Sequence, residues 1–294
     1  MSEPERPAAR AEVASRLDAI VARWRGGACS AEIALMELLI ASESVPLVQA
    51  ATASAPELAR LLAANEQGSE RICAMLRSGM DSNAPALTVD EGIASAQRLF
   101  DWSVQQSEES SVALYSLGSA EILERATREI VALLGGWGVL SDATRALEIG
   151  CGIGRLLLPI AAQVEEVIGI DVSPRMVEVA RRRCAGEPRV AVRGCSGRDL
   201  AGFADASRDL VYAVDSFPYV VQAGLPLAQA LFAEIARVLA PGGRFALLGY
   251  SYRGDDARDR DEVAALARDA GLTVLVAGER PFALWNAPAF LLQR

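Results

Sequence analysis

Three glycines stand at alternate positions between two apolar segments in the stretch ALEIGCGIGRLLLPIA, residues 146–161. Gly150, Gly152 and Gly154 follow an apolar run that has the length of a buried strand, and a second apolar run begins directly after them. Glycine allows a sharp turn at the end of a strand and lets a ligand lie close to the backbone. The start of a following helix offers unpaired N–H groups to such a ligand. The pattern therefore predicts a strand, a glycine turn and a helix that form the floor of a ligand site.

Strand and helix patterns alternate through the second half of the chain. Strands are predicted at residues 145–150, 166–171, 189–194, 209–216 and 243–250, and two late strands at 272–279 and 282–294. Helical patterns fall between most of them, among them SPRMVEVARRRC with Ser173 as its N-cap. This alternation predicts an α/β fold, with a parallel sheet and helices on both of its faces.

The first hundred residues have helical patterns only. Helices are predicted at residues 12–24, 31–43, 69–78 and 90–106, with the polar stretch SGMDSNAP before the last of them. We place a boundary near residue 108, which predicts an all-helical domain over residues 1–108 and an α/β domain over residues 109–294.

The composition excludes several classes of function. The chain has no histidine, which removes Ser-His-Asp and Cys-His catalysis and most transition-metal sites. Its 29 basic and 38 acidic residues give a net charge of -9, which argues against nucleic acid as a partner. The five cysteines form no CxxC pair, so no disulfide framework or zinc site is predicted. The sequence has no signal-peptide pattern and no apolar run near the ~20 residues of a membrane span, so we expect a cytoplasmic protein without a membrane partner.

Two carboxylates near the glycine turn indicate which ligand it takes. Asp171 ends the second predicted strand, where a carboxylate can accept hydrogen bonds from a ribose diol. A dinucleotide site usually has the spacing GxGxxG, whereas here the spacing is GxGxG and Arg155 stands at the sixth position. Glu148, two residues before the first glycine, would repel a pyrophosphate but can bind an ammonium group. The predicted ligand is therefore an adenosine carrying an amino-acid group.

With these residues the sequence resembles the class I S-adenosylmethionine-dependent methyltransferases, over about residues 110–294. The motif ExGxGxG is complete, the ribose-binding acid is matched in GIDVSPRMVEVA, and the fourth and fifth strand segments are matched in DASRDLVYAVDSF and RVLAPGGRFALLGY. The resemblance implies a Rossmann-like seven-stranded methyltransferase sheet behind an all-α N-terminal domain, with S-adenosyl-L-methionine as cofactor. The cofactor contacts that it implies are Tyr115, Glu148, Gly150, Cys151, Gly152, Gly154, Asp171, Val172, Met176, Cys195, Ser196 and Asp215.

One segment departs from the family pattern. Members often carry an acid after the third strand that receives the adenine amino group, and Cys195 and Ser196 stand at that place here. Ser196 or Asp199 is the candidate replacement for that acceptor.

The predicted chemistry is methyl transfer to a small-molecule acceptor in specialised metabolism, by O-, N- or C-methylation. Alignment of the reactants supplies most of the acceleration, so neither a histidine nor a metal is expected. Asp215, at the end of the fourth strand, and Tyr219 are the candidate proton acceptors.

Two other functions stay open from the residues. One is a nicotinamide-dependent Rossmann oxidoreductase, and the other is a non-catalytic, S-adenosylmethionine-binding regulatory protein. The N-terminal helices are expected to cover the substrate pocket or to form a homodimer interface.

Overall fold

A computed structural model describes residues 7–78 and 88–294 of the chain. Apart from Ser78, the predicted polar stretch SGMDSNAP lies outside the described residues. The helices are α1 Pro7–Arg25, α2 Ala31–Ser42, α3 Val45–Thr52, α4 Pro56–Ala64, α5 Glu66–Arg77, α6 Val89–Gln106, α7 Glu108–Val112, α8 Ala120–Gly136, α9 Leu157–Ala161, α10 Pro174–Arg183, α11 Phe217–Ala223, α12 Leu225–Val238 and α13 Asp256–Asp269. The strands are β1 Arg145–Ile149, β2 Glu166–Asp171, β3 Val190–Gly194, β4 Arg208–Val214, β5 Leu239–Leu248, β6 Thr273–Glu279 and β7 Ala289–Gln293.

The described residues form two compact units. The first unit contains residues 7–78 together with Ser103–Ala126 and Ala283–Asn286, and the second contains residues 88–102, Thr127–Phe282 and Ala287–Arg294. Most of α6, which the sequence analysis assigned to the helical domain, therefore groups with the sheet. It stays a prediction that residues 1–108 and residues 109–294 form two domains, each of which folds on its own.

The first unit is built from helices around a leucine-rich core. Leu35, Leu38 and Leu39 of α2 are completely buried, as are Leu58 of α4 and Ile72 of α5. Helix α2 begins where the sequence predicts, because the Ser30 hydroxyl accepts a hydrogen bond from the Ile33 N–H at 3.1 Å.

The second unit contains one seven-stranded sheet with the order β3-β2-β1-β4-β5-β7-β6. The pairs β3–β2, β2–β1, β1–β4 and β4–β5 are parallel, as predicted. Strand β7 runs antiparallel to both β5 and β6, so the sheet is mixed. No helix lies between β6 and β7, and without a crossover a strand returns in the opposite direction.

Aromatic rings fix the region just after β4. Phe217 opens α11, and its ring lies 5.7 Å from that of Phe232 in α12 and 5.8 Å from that of Phe245 in β5. All three side chains are completely buried. This packing anchors the segment that joins β4 to α11, which carries Asp215 and Ser216.

Among the described residues, none of the helices combines the length and apolar character required to span a membrane.

Candidate active site

The glycine turn after β1 has the backbone conformation that only glycine adopts easily. Gly150, Gly152 and Gly154 have φ angles of 73°, 53° and 74°. A Cβ atom on Gly150 would lie 2.4 Å from the Cβ of Ser216, so there is no room for a side chain. The N–H groups of Gly150 and Cys151 both donate to the Ile170 carbonyl, at 2.8 and 3.0 Å. The turn is therefore tightly tied to β2.

Asp171 joins this turn to the start of α10. One carboxylate oxygen accepts a hydrogen bond from the Gly152 N–H at 2.8 Å, and the other accepts one from the Ser173 N–H at 2.9 Å. The Ser173 hydroxyl in turn accepts from the Met176 N–H at 3.1 Å, as predicted for an N-cap. Burial raises the pKa of Asp171 to about 6, and the backbone N–H donors oppose that rise.

Glu148 is a buried carboxyl group one strand away. Its side chain is 2% exposed, and it accepts a hydrogen bond from the Tyr212 hydroxyl at 3.1 Å. Burial raises the pKa of Glu148 to about 8, while the Tyr212 hydrogen bond and the charge of Arg155 oppose the rise and Asp171 adds to it. A neutral phenol is a weak partner for a buried anion, so a cation beside Glu148 would stabilise its charged form.

The residues after β3 contact the end of β2. The Cys195 N–H donates to the Asp171 carbonyl at 3.0 Å. A Cβ atom on Gly197 would lie 2.7 Å from Val172 Cγ1 and 3.2 Å from Ile93 Cγ2, so these two apolar side chains meet at Gly197. Ile93, on α6, did not figure among the predicted site residues.

The remaining predicted cofactor contacts have local roles in this structure. The Ser196 hydroxyl accepts from the Arg198 N–H at 3.2 Å, and Asp199 accepts from the Ala201 N–H at 3.2 Å. The Cys151 side chain lies against β2, because a Cβ atom on Gly169 would be 2.9 Å from its sulfur. Tyr115 belongs to the first unit, where its ring lies 6.3 Å from the Trp285 ring. The roles of these residues in cofactor binding stay predictions.

Asp215 follows β4 in a strained conformation. Its φ angle is 58°, which is uncommon for a residue other than glycine and is often found at functional sites. Its carboxylate accepts a hydrogen bond from the Tyr252 hydroxyl at 2.8 Å. Burial raises the pKa of Asp215 to about 6, and the Tyr252 hydrogen bond and the charge of Arg155 oppose that rise.

Three aromatic rings form a cluster that includes Tyr252, the hydrogen-bond donor to this carboxylate. The Tyr219 ring packs edge-on at 4.8 Å from Phe100 and at 5.8 Å from Tyr252. The structure thus brings the two predicted catalytic residues, Asp215 and Tyr219, to the same aromatic cluster. Phe100 and Tyr252 were not among the predicted site residues, because they lie far from both residues along the chain and carry no motif of their own.

Helix α6 also contacts the start of α10. Asp101 accepts hydrogen bonds from the Ser173 hydroxyl at 2.6 Å and from the Arg175 N–H at 3.2 Å. Within residues 7–78 and 88–294 there is no group of three His, Cys, Asp or Glu side chains arranged to hold a metal ion.

A family model described as "Methyltransferase domain" matches residues 147–247. This range begins in β1 and ends in β5, and so includes Glu148, the glycine turn, Asp171 and Asp215. We therefore identify residues 147–247 as a methyltransferase domain of the class I S-adenosylmethionine-dependent type. The matched segment thus contains the parts of the site that lie in β1, β2, β3 and β4 and in the loops between these strands.

The curated relatives of this chain have different names. It is 30% identical over 142 residues to the S-adenosyl-L-methionine-dependent Diels-Alderase iccD of Talaromyces variabilis, covering 47% of each chain. It is 32% identical over 153 residues to the demethylmenaquinone methyltransferase of Clavibacter sepedonicus, covering 52% of this chain and 57% of that protein. The chain therefore spans about half the length of the curated relatives it matches.

A solved structure supports the fold of the methyltransferase. The geranyl diphosphate C-methyltransferase of Streptomyces coelicolor A3(2) superposes with a TM-score of 0.51 at 17% identity, over 71% of this chain and 98% of that chain. At this identity the likeness concerns the fold alone.

Proposed function

We propose that this protein transfers the methyl group of S-adenosylmethionine to a small-molecule acceptor. The observation that carries the proposal is the buried Glu148 carboxyl, which has a neutral hydrogen-bond partner and lies beside a glycine turn that is closed to side chains. An ammonium group supplied by a ligand would satisfy this carboxylate, whereas the pyrophosphate of a dinucleotide would be repelled. This contrast favours S-adenosylmethionine over a nicotinamide cofactor.

The site residues have separate proposed tasks. Glu148 holds the ammonium group, and Asp171 accepts hydrogen bonds from the ribose hydroxyls with the lone pairs not used by Gly152 and Ser173. Val172 and Ile93 contact the adenine, and Ser196 receives its amino group. Met176, the Cys151 and Cys195 backbones and Tyr115 complete the proposed cofactor contacts.

Bound S-adenosylmethionine would supply an activated methyl group on a sulfonium. The protein's own contribution is to align the acceptor and exclude water, for which the Tyr219 and Phe100 rings offer an apolar wall. Asp215 holds the proton that the acceptor releases, since its carboxylate is ionised above its pKa of about 6. No metal enters this proposal.

The acceptor is proposed to be a small molecule of specialised metabolism, in keeping with relatives named for demethylmenaquinone and for rifamycin. A cytoplasmic location and a homodimer formed through the N-terminal helices belong to the same proposal. Nucleic acid is not expected as a partner, because the net charge is -9.

The test is transfer of a labelled methyl group. Purified protein is incubated with S-[methyl-¹⁴C]adenosylmethionine and a panel of phenols, quinols and amines. Labelled products that disappear in Glu148→Ala support the proposal. Binding of S-adenosylhomocysteine without transfer to any member of a broad metabolite extract would instead support a regulatory protein, or a Diels-Alderase such as the relative from Talaromyces variabilis.

A further inference from the structure

The loop after β5 presents a tyrosine hydroxyl to the proposed proton acceptor. Tyr252 donates a hydrogen bond to Asp215 at 2.8 Å, although the two residues are 37 positions apart. Its ring packs edge-on against Tyr219. Proximity to Asp215 and burial of the hydroxyl group raise the pKa of Tyr252, so that it is neutral near pH 7. A neutral phenol has a lone pair with which it can accept a hydrogen bond from a ligand.

Tyr252 is held in place although 54% of its surface is exposed. On one side of it, the Ser251 hydroxyl donates to both oxygens of Asp259, at 2.8 and 2.9 Å. On the other side, Arg253 donates to Asp259 at 2.6 Å and to Glu262 at 2.8 Å. Asp259 is 2% exposed and belongs to α13, so both neighbours of Tyr252 are anchored to a helix.

Tyr250 makes further contacts that fix the same loop. Tyr250 is completely buried, and its hydroxyl donates to Glu262 at 3.0 Å. The guanidinium of Arg253 lies 5.7 Å from the centre of the Tyr250 ring. We call Tyr250, Ser251, Arg253, Asp259 and Glu262 the loop clamp. The clamp fixes the backbone of the loop, so the hydrogen bond of Tyr252 to Asp215 is part of a built arrangement.

We propose that Tyr252 relays the proton of a phenolic or enolic acceptor to Asp215. This inference rests on the proposed methyl transfer and names the acceptor class of the same site. A phenolic or enolic hydroxyl can pass its proton to the Tyr252 oxygen in concert with transfer of the Tyr252 proton to the carboxylate. The surrounding Phe100 and Tyr219 rings suit a flat, aromatic or conjugated molecule.

The step balances in atoms and electrons. The acceptor oxygen forms a bond to the methyl carbon, the sulfur–carbon bond breaks, and its electron pair stays on sulfur. The acceptor's hydroxyl proton bonds to the Tyr252 oxygen, and the former Tyr252 proton ends on Asp215. Apart from Tyr252, the titratable groups that act on Asp215 are Arg155 and Tyr219.

The test compares Tyr252→Phe with Ser207→Ala, which also removes one hydroxyl, but an exposed one that donates to the Ala204 carbonyl and not to Asp215. Labelled methyl transfer is measured with phenols graded in acidity from phenol to 4-nitrophenol, beside matched benzylamines, between pH 5 and 9. S-adenosylhomocysteine affinity is measured for each variant. Independently of activity and of any ligand, ¹³C NMR of carboxyl-labelled aspartate follows the titration of Asp215, assigned with Asp215→Asn.

We expect the wild type to methylate phenols, and Tyr252→Phe to lower turnover ~10- to 100-fold with unchanged S-adenosylhomocysteine affinity. Loss of the Tyr252 hydrogen bond should move the Asp215 titration, and the acid limb of the rate, to higher pH. Ser207→Ala should leave both midpoints unmoved.

Several results would overturn the relay. Wild-type turnover in Tyr252→Phe, or an unmoved Asp215 titration, would contradict it. An equal loss of rate in both variants with neither acid limb shifted would also contradict it. The same holds if protein that binds S-adenosylhomocysteine transfers no methyl group to any hydroxyl probe. Transfer to amines alone would likewise overturn it while leaving the proposed methyltransferase function intact. Failure to bind S-adenosylhomocysteine at all would instead contradict the proposed function.

Discussion

The Asp171 carboxylate accepts a hydrogen bond from the Gly152 N–H at 2.8 Å, and so joins the end of β2 to the glycine turn after β1. The same side chain accepts from the Ser173 N–H, which begins the cap of α10. One buried side chain therefore fixes two backbone segments that border the proposed ribose site. Its removal is expected to affect folding and ligand binding together.

Asp171→Asn keeps one acceptor oxygen and loses the charge and the second acceptor. We expect S-adenosylhomocysteine affinity to fall at least ~10-fold by calorimetry, because a hydrogen bond to a charged group contributes ~1.5–3 kcal/mol. Asp261→Asn is the control, since Asp261 is exposed on α13 and has no proposed role in binding. Equal affinity in wild type and Asp171→Asn would show that this carboxylate does not hold the ligand.

Gly150→Ala tests the steric demand of the turn. The added Cβ atom would lie 2.4 Å from Ser216 Cβ at a backbone φ of 73°. Strain and overpacking together should lower the free energy of unfolding by at least ~2 kcal/mol. Gly202→Ala is the matched control, because no atom lies within 4 Å of its added Cβ atom. Urea unfolding measures both, and equal stabilities would contradict the geometry of the turn.

The pKa of Glu148 predicts how stability depends on pH. The folded protein binds this proton more tightly than the unfolded chain, where the pKa is near ~4.3, because burial raises the folded value to about 8. The stabilisation is complete below the unfolded pKa and is lost as pH rises through the folded pKa. Asp171 and Asp215, with pKa values of about 6, change stability in the same direction at lower pH.

We therefore expect the melting temperature of the ligand-free protein to fall between pH 6.5 and 8.5. Glu148→Gln cannot ionise, so its melting temperature should change less over this range. Glu178→Gln, at an exposed position of α10, is the control and should keep the wild-type slope. An unchanged slope in Glu148→Gln would place the titrating group elsewhere.

Ser173→Ala removes the cap of α10 and the donor to Asp101. We expect a loss of ~1 kcal/mol in the free energy of unfolding, as is usual for an N-cap. Ser207→Ala serves as control, since the Ser207 hydroxyl is exposed and donates to the nearby Ala204 carbonyl. Thermal melts report the difference, and an equal Tm for the two variants would exclude Ser173 as a stabilising cap.

Local chemistry made much of the site predictable. The turn after β1 needs glycine, and the cap at Ser173 needs a hydroxyl next to the first turn of a helix. Both features can therefore be predicted from a few adjacent residues in the sequence. The end of β2 at Asp171 follows from a short apolar run. These features depend on a few neighbouring positions, and the structure reproduces them.

Other features depend on the tertiary fold. The place of β7 between β5 and β6 depends on tertiary pairing, which a strand pattern alone does not specify. Tyr252 reaches Asp215 through a loop that α13 holds, and Ile93, Phe100 and Asp101 reach the site because α6 groups with the sheet. Helix α11 was not among the predicted elements, and burial of Phe217 stabilises it.

Calorimetry with S-adenosylhomocysteine and NAD⁺ in parallel tests the central claim most directly. The buried Glu148 and the glycine turn predict saturable binding of S-adenosylhomocysteine, weakened at least ~10-fold in Glu148→Ala, and no measurable binding of NAD⁺. Tight binding of NAD⁺, or no heat of binding with S-adenosylhomocysteine, would contradict the account.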